Sequence, residues 1–232
     1  MNRKDFTNTA KGWEFIENLA LDNETDSLRR LRLEAEGAGF SQGSAAQACF
    51  LAFEARQIEA RSVIVLGTAA VTECVHIIEA LNAMRPDVPR QLTAVDSSAQ
   101  GTALIRRTFN RLPSDAHIKL RVVNAKLDVF LPRLNAGDYD LVIITGDEQN
   151  YEDAFDRAHR LLRDGGILVL CDVLALDNAD SRGGLLNSAD RGAKATRMRQ
   201  LIDDAEGDER FDSTIIPTGT GLMLSVKVPD QA

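Results

Sequence analysis

Two regimes of hydrophobic patterning divide the chain near residue 61. Before it, apolar residues return at helical intervals. Trp13, Phe15, Ile16, Leu19 and Ala20 recur at roughly that spacing. Asp26 or Ser27 is placed to cap a second helix, SLRRLRLEAEG, which ends at Gly37. After the break GAGFSQG, the stretch SAAQACFLAFEARQIEA is rich in small and apolar residues and suits a packed helix.

After residue 61, short apolar runs alternate with helical patterns. SVIVL (62–66) predicts a buried strand, and Val71, Val75, Ile78 and Leu81 predict a helix over about 71–84. LTAVD (92–96) is a second strand, followed by a helix around 98–111 that stops before Pro113. IKLRVV (118–123) is a third strand with a helix near 126–134, and DLVIIT (140–145) is a fourth with a helix over about 151–163. Gly165-Gly166 turns the chain into a fifth strand, ILVLCDV (167–173). A polar, glycine-containing loop (177–193) and a helix (194–206) lead to STIIP and LMLSVKV, joined by Thr218-Gly219-Thr220-Gly221 as a hairpin. Strands alternating with helices and closing on a hairpin predict an α/β fold. Its sheet is mostly parallel with an antiparallel edge and helices on both faces.

Composition narrows the function classes. A chain of 232 residues favours one large domain, with residues 1–60 as helices packing on a core formed by 61–232. A formal charge of −8 argues against a broad nucleic-acid surface, which needs a basic footprint. Cys49, Cys74 and Cys171 are odd in number and widely spaced, which argues against a disulfide framework or a zinc site and fits reduced thiols in a cytoplasm. No signal pattern and no apolar run of ~18 residues is present, so no membrane partner is expected.

Candidate chemistry sits where strands end. Gly67-Thr68-Ala69-Ala70-Val71 joins a strand to a helix. It is not GxGxxG, so it reads equally as a plain turn or as a cofactor loop, and a nicotinamide-dependent dehydrogenase loses ground. Asp96 ends the second strand, where an acid can accept from both hydroxyls of a ribose or can cap the next helix. Asp147, Glu148 and Asp172 lie at strand ends where a base could sit, or where a solvated loop carboxylate could. His76, His117 and His159 are scattered and read as packing or surface residues, as does Tyr151 at the start of a helix.

Five segments, in order, resemble the class I S-adenosylmethionine-dependent methyltransferases, and among them the catechol-type O-methyltransferase family common in bacteria. QGSAAQACFLAFEARQIEARSVIVLGT is similar to that family's leading helix, first strand and E-I-G-T-G loop, and TAVDSS to the strand ending in its ribose-binding acid. YDLVIITGDEQNY is similar to YDLVFIDADKxNY, LLRDGGILVLCDVL to LLRPGGLIVADNVL, and IIPTGTGLMLSVK to the closing hairpin LLPxGDGLTLxxK. The resemblance runs from about residue 28 to residue 228 and implies a Rossmann-like sheet of seven strands. It also implies S-adenosylmethionine as cofactor, a small hydroxylated acceptor and a homodimer. Phe40, Gly67, Thr68, Asp96, Asn124, Ala125 and Thr145 are the implied cofactor contacts, and Glu148 and Asp172 the candidate bases.

The departures are as specific as the matches. The acid that precedes the family's loop is Val65 here, the loop's later glycines are Ala69 and Val71, and a nearby serine is Glu73. The family's three metal ligands, two aspartates and an asparagine, match Thr145, Asp172 and Val173, and its lysine matches Glu148. Magnesium wants oxygen donors and valine has none, so no metal is expected. Two readings follow: an O-methyltransferase acting without a metal, or a non-catalytic relative kept as a ligand-binding or interaction module.

Overall fold

The computed structural model describes residues 3–112, 117–176 and 181–229. Three helices come first: α1 (Arg3–Asp22), α2 (Asp26–Gly37) and α3 (Ala45–Gln57). Thr25 caps α2 and Ser44 caps α3, each accepting a backbone N–H of the first turn through its hydroxyl. Then follow β1 (Ser62–Leu66), α4 (Val71–Asn82), β2 (Arg90–Asp96), α5 (Ala99–Arg111), β3 (Ile118–Asn124), the single turn α6 (Leu127–Phe130), β4 (Tyr139–Ile144), α7 (Glu148–Leu161), β5 (Leu162–Cys171), α8 (Ala193–Glu206), β6 (Phe211–Ile216) and β7 (Leu222–Lys227).

The seven strands form one sheet in the order β3-β2-β1-β4-β5-β7-β6. The first five pair in parallel, and β7 runs antiparallel to both β5 and β6. The α/β fold with a mostly parallel sheet and a closing antiparallel hairpin is therefore present as expected. Every residue of β1 and β4 is buried, as a parallel sheet covered on both faces requires. Alternate side chains feed two cores. Val63 and Val65 pack with Leu51, Ile78, Leu92 and Leu104 on one face, and Ile64 and Leu66 pack with Val142, Ile144, Tyr151 and Leu161 on the other.

Three expectations shift. The helix near 126–134 becomes one α-turn and one 3-10 turn (Leu131–Arg133), because Pro132 lacks the N–H that would continue it. The fifth strand starts at Leu162 rather than 167: Gly165, at φ 72°, lets the ladder continue past a register shift instead of turning out of it. α7 begins at Glu148, three residues earlier than its apolar pattern suggests, because its first turn, Glu148-Gln149-Asn150, is wholly polar and carries no apolar periodicity. Pro113 and part of the 177–193 loop lie outside the described residues.

The N-terminal helices are stitched to the core by polar contacts. The Glu17 carboxylate accepts from the Ala45 N–H (2.7 Å) and the Ala46 N–H (3.2 Å), capping α3 from another helix. The Gln47 side-chain amide donates to the carbonyls of Thr218 (2.8 Å) and Gly221 (3.1 Å), joining α3 to the β6–β7 turn. The apolar stripe of α1 stays outward: Phe15 is 66% exposed and Ile16 51%.

Candidate functional site

Strand order reverses between β1 and β4, and an open α/β sheet binds ligands outside the carboxyl ends of its strands at such a point. Thr145 N–H donates to Leu66 O (2.9 Å) and Gly67 N–H to Val95 O (3.1 Å), so the ends of β1, β2 and β4 are held in register where the loops leave. A cavity of about 590 Å³ opens there, floored by Thr68, Thr145 and Gly146 and walled by Phe40, Gln42, Asp172 and Lys194.

The loop after β1 is tightly pinned. Ala69 has φ 49°, a left-handed conformation that glycine adopts without cost and alanine does not. Alanine at this position carries that strain. Two long-range contacts hold it: the Ala69 N–H donates to Asp96 Oδ2 (2.8 Å), and Ala69 O accepts from Gln42 Nε2 (3.1 Å). Gln42 Oε1 in turn accepts from the Thr72 N–H (3.2 Å), supplying a cap for α4 that its own N-cap residue, Ala70, cannot. Because left-handed geometry tolerates glycine but not a β-branched side chain, Ala69→Gly is expected to fold within about 1 kcal/mol of the parent, whereas Ala69→Val is expected to lose about 2 to 3 kcal/mol. Urea denaturation of the pair checks this, and equal losses would mean the loop is not held at positive φ.

Asp96 is buried at the end of β2. Its second oxygen accepts from the Ser98 N–H (2.7 Å), so both oxygens hold backbone. Burial raises its pKa, and the Ala69 and Ser98 N–H groups pull it back down. The cap of α5 is Ser98 itself, through Gly101 N–H. Asn124 donates to Asp96 O (2.9 Å) and Thr102 Oγ1 (3.0 Å), and the Ala125 N–H to Asp96 O (3.2 Å), so these two residues lock the ends of β2 and β3 together. Across the groove, Thr68 Oγ1 donates to Asp147 Oδ2 (2.8 Å), and Asn150 bonds Thr145 O (3.0 Å).

The far wall is ionic. Asp172, at φ 54°, forms an ion pair with Lys194 from the first turn of α8. Both are buried, and the Lys194 ammonium also lies 5.5 Å from the centre of the Tyr151 ring. The Tyr151 hydroxyl donates to Cys171 O (2.7 Å), which fixes the ring. Glu73 is buried against Gly43; burial raises its pKa, its own backbone N–H and the Arg32 charge draw it partly back, and its Oε2 has no hydrogen-bond partner among the described residues.

Of the residues singled out in the sequence, the cavity brings together Phe40, Thr68, Thr145, Asp147 and Asp172. Gly67, Asp96, Asn124 and Ala125 are not among its lining residues, and Glu148 is half-buried in the first turn of α7 outside it. Sequence reasoning missed Lys194 and Gln42. Gln42 carries no signal of its own. Lys194 carries one: a lysine in the first turn of a helix opposes the helix dipole and so asks for a partner.

A family model for O-methyltransferases matches residues 21–228. Catechol O-methyltransferase domain-containing protein 1 of Mus musculus is 28% identical over 220 residues, covering 93% of this chain and 79% of that one. An O-methyltransferase crystal structure from Klebsiella pneumoniae superposes with a TM-score of 0.76 at 22% identity, covering 94% of this chain and 99% of its own. One from Bacillus cereus, solved in complex with SAH, gives 0.76 at 16% identity with the same coverage. With the fold, the strand-end cavity and the match over residues 21–228 in agreement, the chain belongs to the O-methyltransferase family.

Proposed function

We propose that this protein transfers a methyl group from S-adenosylmethionine to the oxygen of a small hydroxylated acceptor, and that it does so without a divalent cation. The observation that carries the reading is the place of the cavity, at the topological switch point of a chain matched by the O-methyltransferase family. The SAH complex of the Bacillus cereus relative supports the choice of cofactor.

The residues present fit such a cofactor. Glu73, a buried carboxylate whose Oε1 faces Gly43 and whose Oε2 has no hydrogen-bond partner among the described residues, suits the ammonium of a methionine moiety. Gly146, at φ 84°, keeps the floor low: a Cβ there would sit 3.0 Å from Thr68 N. Gly67, Thr68, Asp96, Asn124, Ala125 and Thr145 are proposed to shape the groove, several of them through the backbone they hold. When bound, the cofactor supplies a methyl group on an electrophilic sulfonium. The chain supplies alignment of acceptor oxygen and methyl carbon, and well-oriented reactions of this kind recover about 7 to 11 kcal/mol of barrier.

The family's magnesium does not fit the donor set. Val173 is fully buried in the core and has no donor, Thr145 offers a neutral hydroxyl where the family has a carboxylate, and Asp172 holds Lys194. A hard cation needing several oxygen ligands would find one carboxylate, already paired. None of the three carboxylates stands out as a base: Asp172 is paired with the Lys194 ammonium, Asp147 lines the cavity but accepts from the Thr68 hydroxyl, and Glu148 does not line the cavity.

Calorimetry with S-adenosylmethionine and S-adenosylhomocysteine, in magnesium and in chelator, tests the reading. Micromolar binding unaffected by the metal is expected. Undetectable binding at millimolar cofactor would return the protein to the class of non-catalytic modules.

We further infer a cytoplasmic homodimer. The three cysteines are free thiols, and no described helix is long and apolar enough to cross a membrane. The outward stripe of Phe15, Ile16 and Leu19 on α1 suits a partner surface. Light scattering should give twice the chain mass, and Phe15→Glu with Ile16→Glu should give the monomer; a wild-type monomer at high concentration rejects the dimer.

A further inference from the structure

We propose that the Lys194 ammonium stands in this site where a divalent cation would, receiving the methyl acceptor as its oxyanion, and that the acceptors are therefore phenols or enols more acidic than an unsubstituted catechol. The inference rests on the methyl-transfer reading above and adds to it a positioning residue and a substrate class.

Its basis is the geometry around Asp172. The carboxylate that matches a metal ligand faces a side-chain cation built into the fold. Lys194 and Asp172 both line the cavity although both side chains are nearly sealed from solvent, so the cation is presented to a ligand rather than to bulk water. An ammonium has three N–H donors and no acceptor. Among the described residues, its hydrogen-bond acceptor is Asp172, and the Tyr151 ring covers another side at 5.5 Å. Donor capacity therefore remains for an anion entering from the cavity. Tyr151 cannot compete as that donor, because its hydroxyl is committed to Cys171 O.

Charge then sets the substrate class. A divalent ion lowers the pKa of a bound hydroxyl strongly. A single ammonium, already paired with the Asp172 carboxylate, offers much less. An ordinary phenol, with a pKa near 10, would stay mostly protonated beside it. A phenol acidified by an electron-withdrawing or conjugated substituent would enter ionised after losing its proton to water. Its oxygen forms the bond to the methyl carbon as the sulfur–carbon bond breaks and the electron pair stays on sulfur. Phenolate and sulfonium charges cancel, and two neutral products leave.

The experiment uses 4-nitrophenol, whose ionisation is read by visible absorbance, titrated with pH on the full-length protein saturated with S-adenosylhomocysteine. The wild type is expected to prefer the phenolate at least tenfold, lowering the bound chromophore's pKa by one unit or more. Lys194→Met should abolish the shift and Lys194→Arg should retain part of it. Because Lys194→Met strands a buried carboxylate, the neutral pair Asp172→Asn with Lys194→Met is measured alongside, and it too should show no shift. A wild type that leaves the chromophore unshifted or unbound at millimolar concentration overturns the proposal, as does a neutral-pair variant that keeps the shift. S-adenosylmethionine binding on the same samples separates the two readings. Its absence in the wild type counts against methyl transfer, whereas intact cofactor binding with an unshifted chromophore counts against Lys194 alone.

Discussion

Asp172→Ala is expected to lose about 3 to 5 kcal/mol of stability at neutral pH, the usual cost of removing one partner from a buried ion pair. Lys194 would be left with its ammonium sealed under the β5 end and no carboxylate. An ammonium sealed away from water without its carboxylate carries an uncompensated desolvation cost, and that cost is the larger part of the expected loss. Part of the loss is not electrostatic. Residue 172 sits at φ 54°, where asparagine is tolerated better than alanine. Asp172→Asn therefore isolates the charge, and Asp172→Ala adds the backbone. Urea titrations of both at neutral pH check this. A deficit under 1 kcal/mol in both would show that the pair contributes little.

Gly101→Ala inverts an ordinary rule. Alanine in a helix interior is normally better than glycine by about 1 kcal/mol. Gly101 lies in the first turn of α5 against Asp96, and an added Cβ would overlap Asp96 Oδ2 and come within 3.1 Å of Ala69 N. Asp96 would have to turn away, releasing the Ala69 and Ser98 N–H groups that it holds. Overpacking and the loss of buried hydrogen bonds to a carboxylate together predict a net destabilisation of about 2 to 3 kcal/mol. At this chain length, that corresponds to a fall in Tm of roughly 5 to 10 °C. Cofactor affinity should fall at least tenfold as the loop after β1 loosens. A variant as stable as the parent would mean that Asp96 is not the strut the geometry makes it.

The fold was legible because its signals are local. Runs such as SVIVL and DLVIIT are short, apolar and bounded by polar or small residues, and β1 and β4 occupy them nearly residue for residue. Boundaries failed where a single residue overrode the pattern, as at Pro132 and Gly165. The site was legible only in outline. Thr68, Thr145 and Asp172 stand at strand ends that any βα alternation reveals. What those residues touch depends on partners far away in sequence. Gln42 reaches Ala69 and Thr72, Asp96 reaches back to Ala69, and Lys194 reaches Asp172 across the loop before α8. No periodicity encodes such pairings. The departures at positions 145 and 173 pointed to a lost cation, but nothing in the pattern announced the lysine beside Asp172.

The interior place of β7 has a consequence for biosynthesis. The strand lies between β5 and β6, although it follows both in the chain. While a nascent chain is emerging, β5 presents an unpaired edge and β6 has no neighbour to pair with. The Thr218–Gly221 turn that Gln47 grips is not yet closed. The Gln47 anchor that ties α3 to this turn therefore forms only once Leu222–Lys227 has left the ribosome. A chain cut short before β7 would expose a hydrophobic edge strand to its neighbours rather than merely lose an ornament at its end.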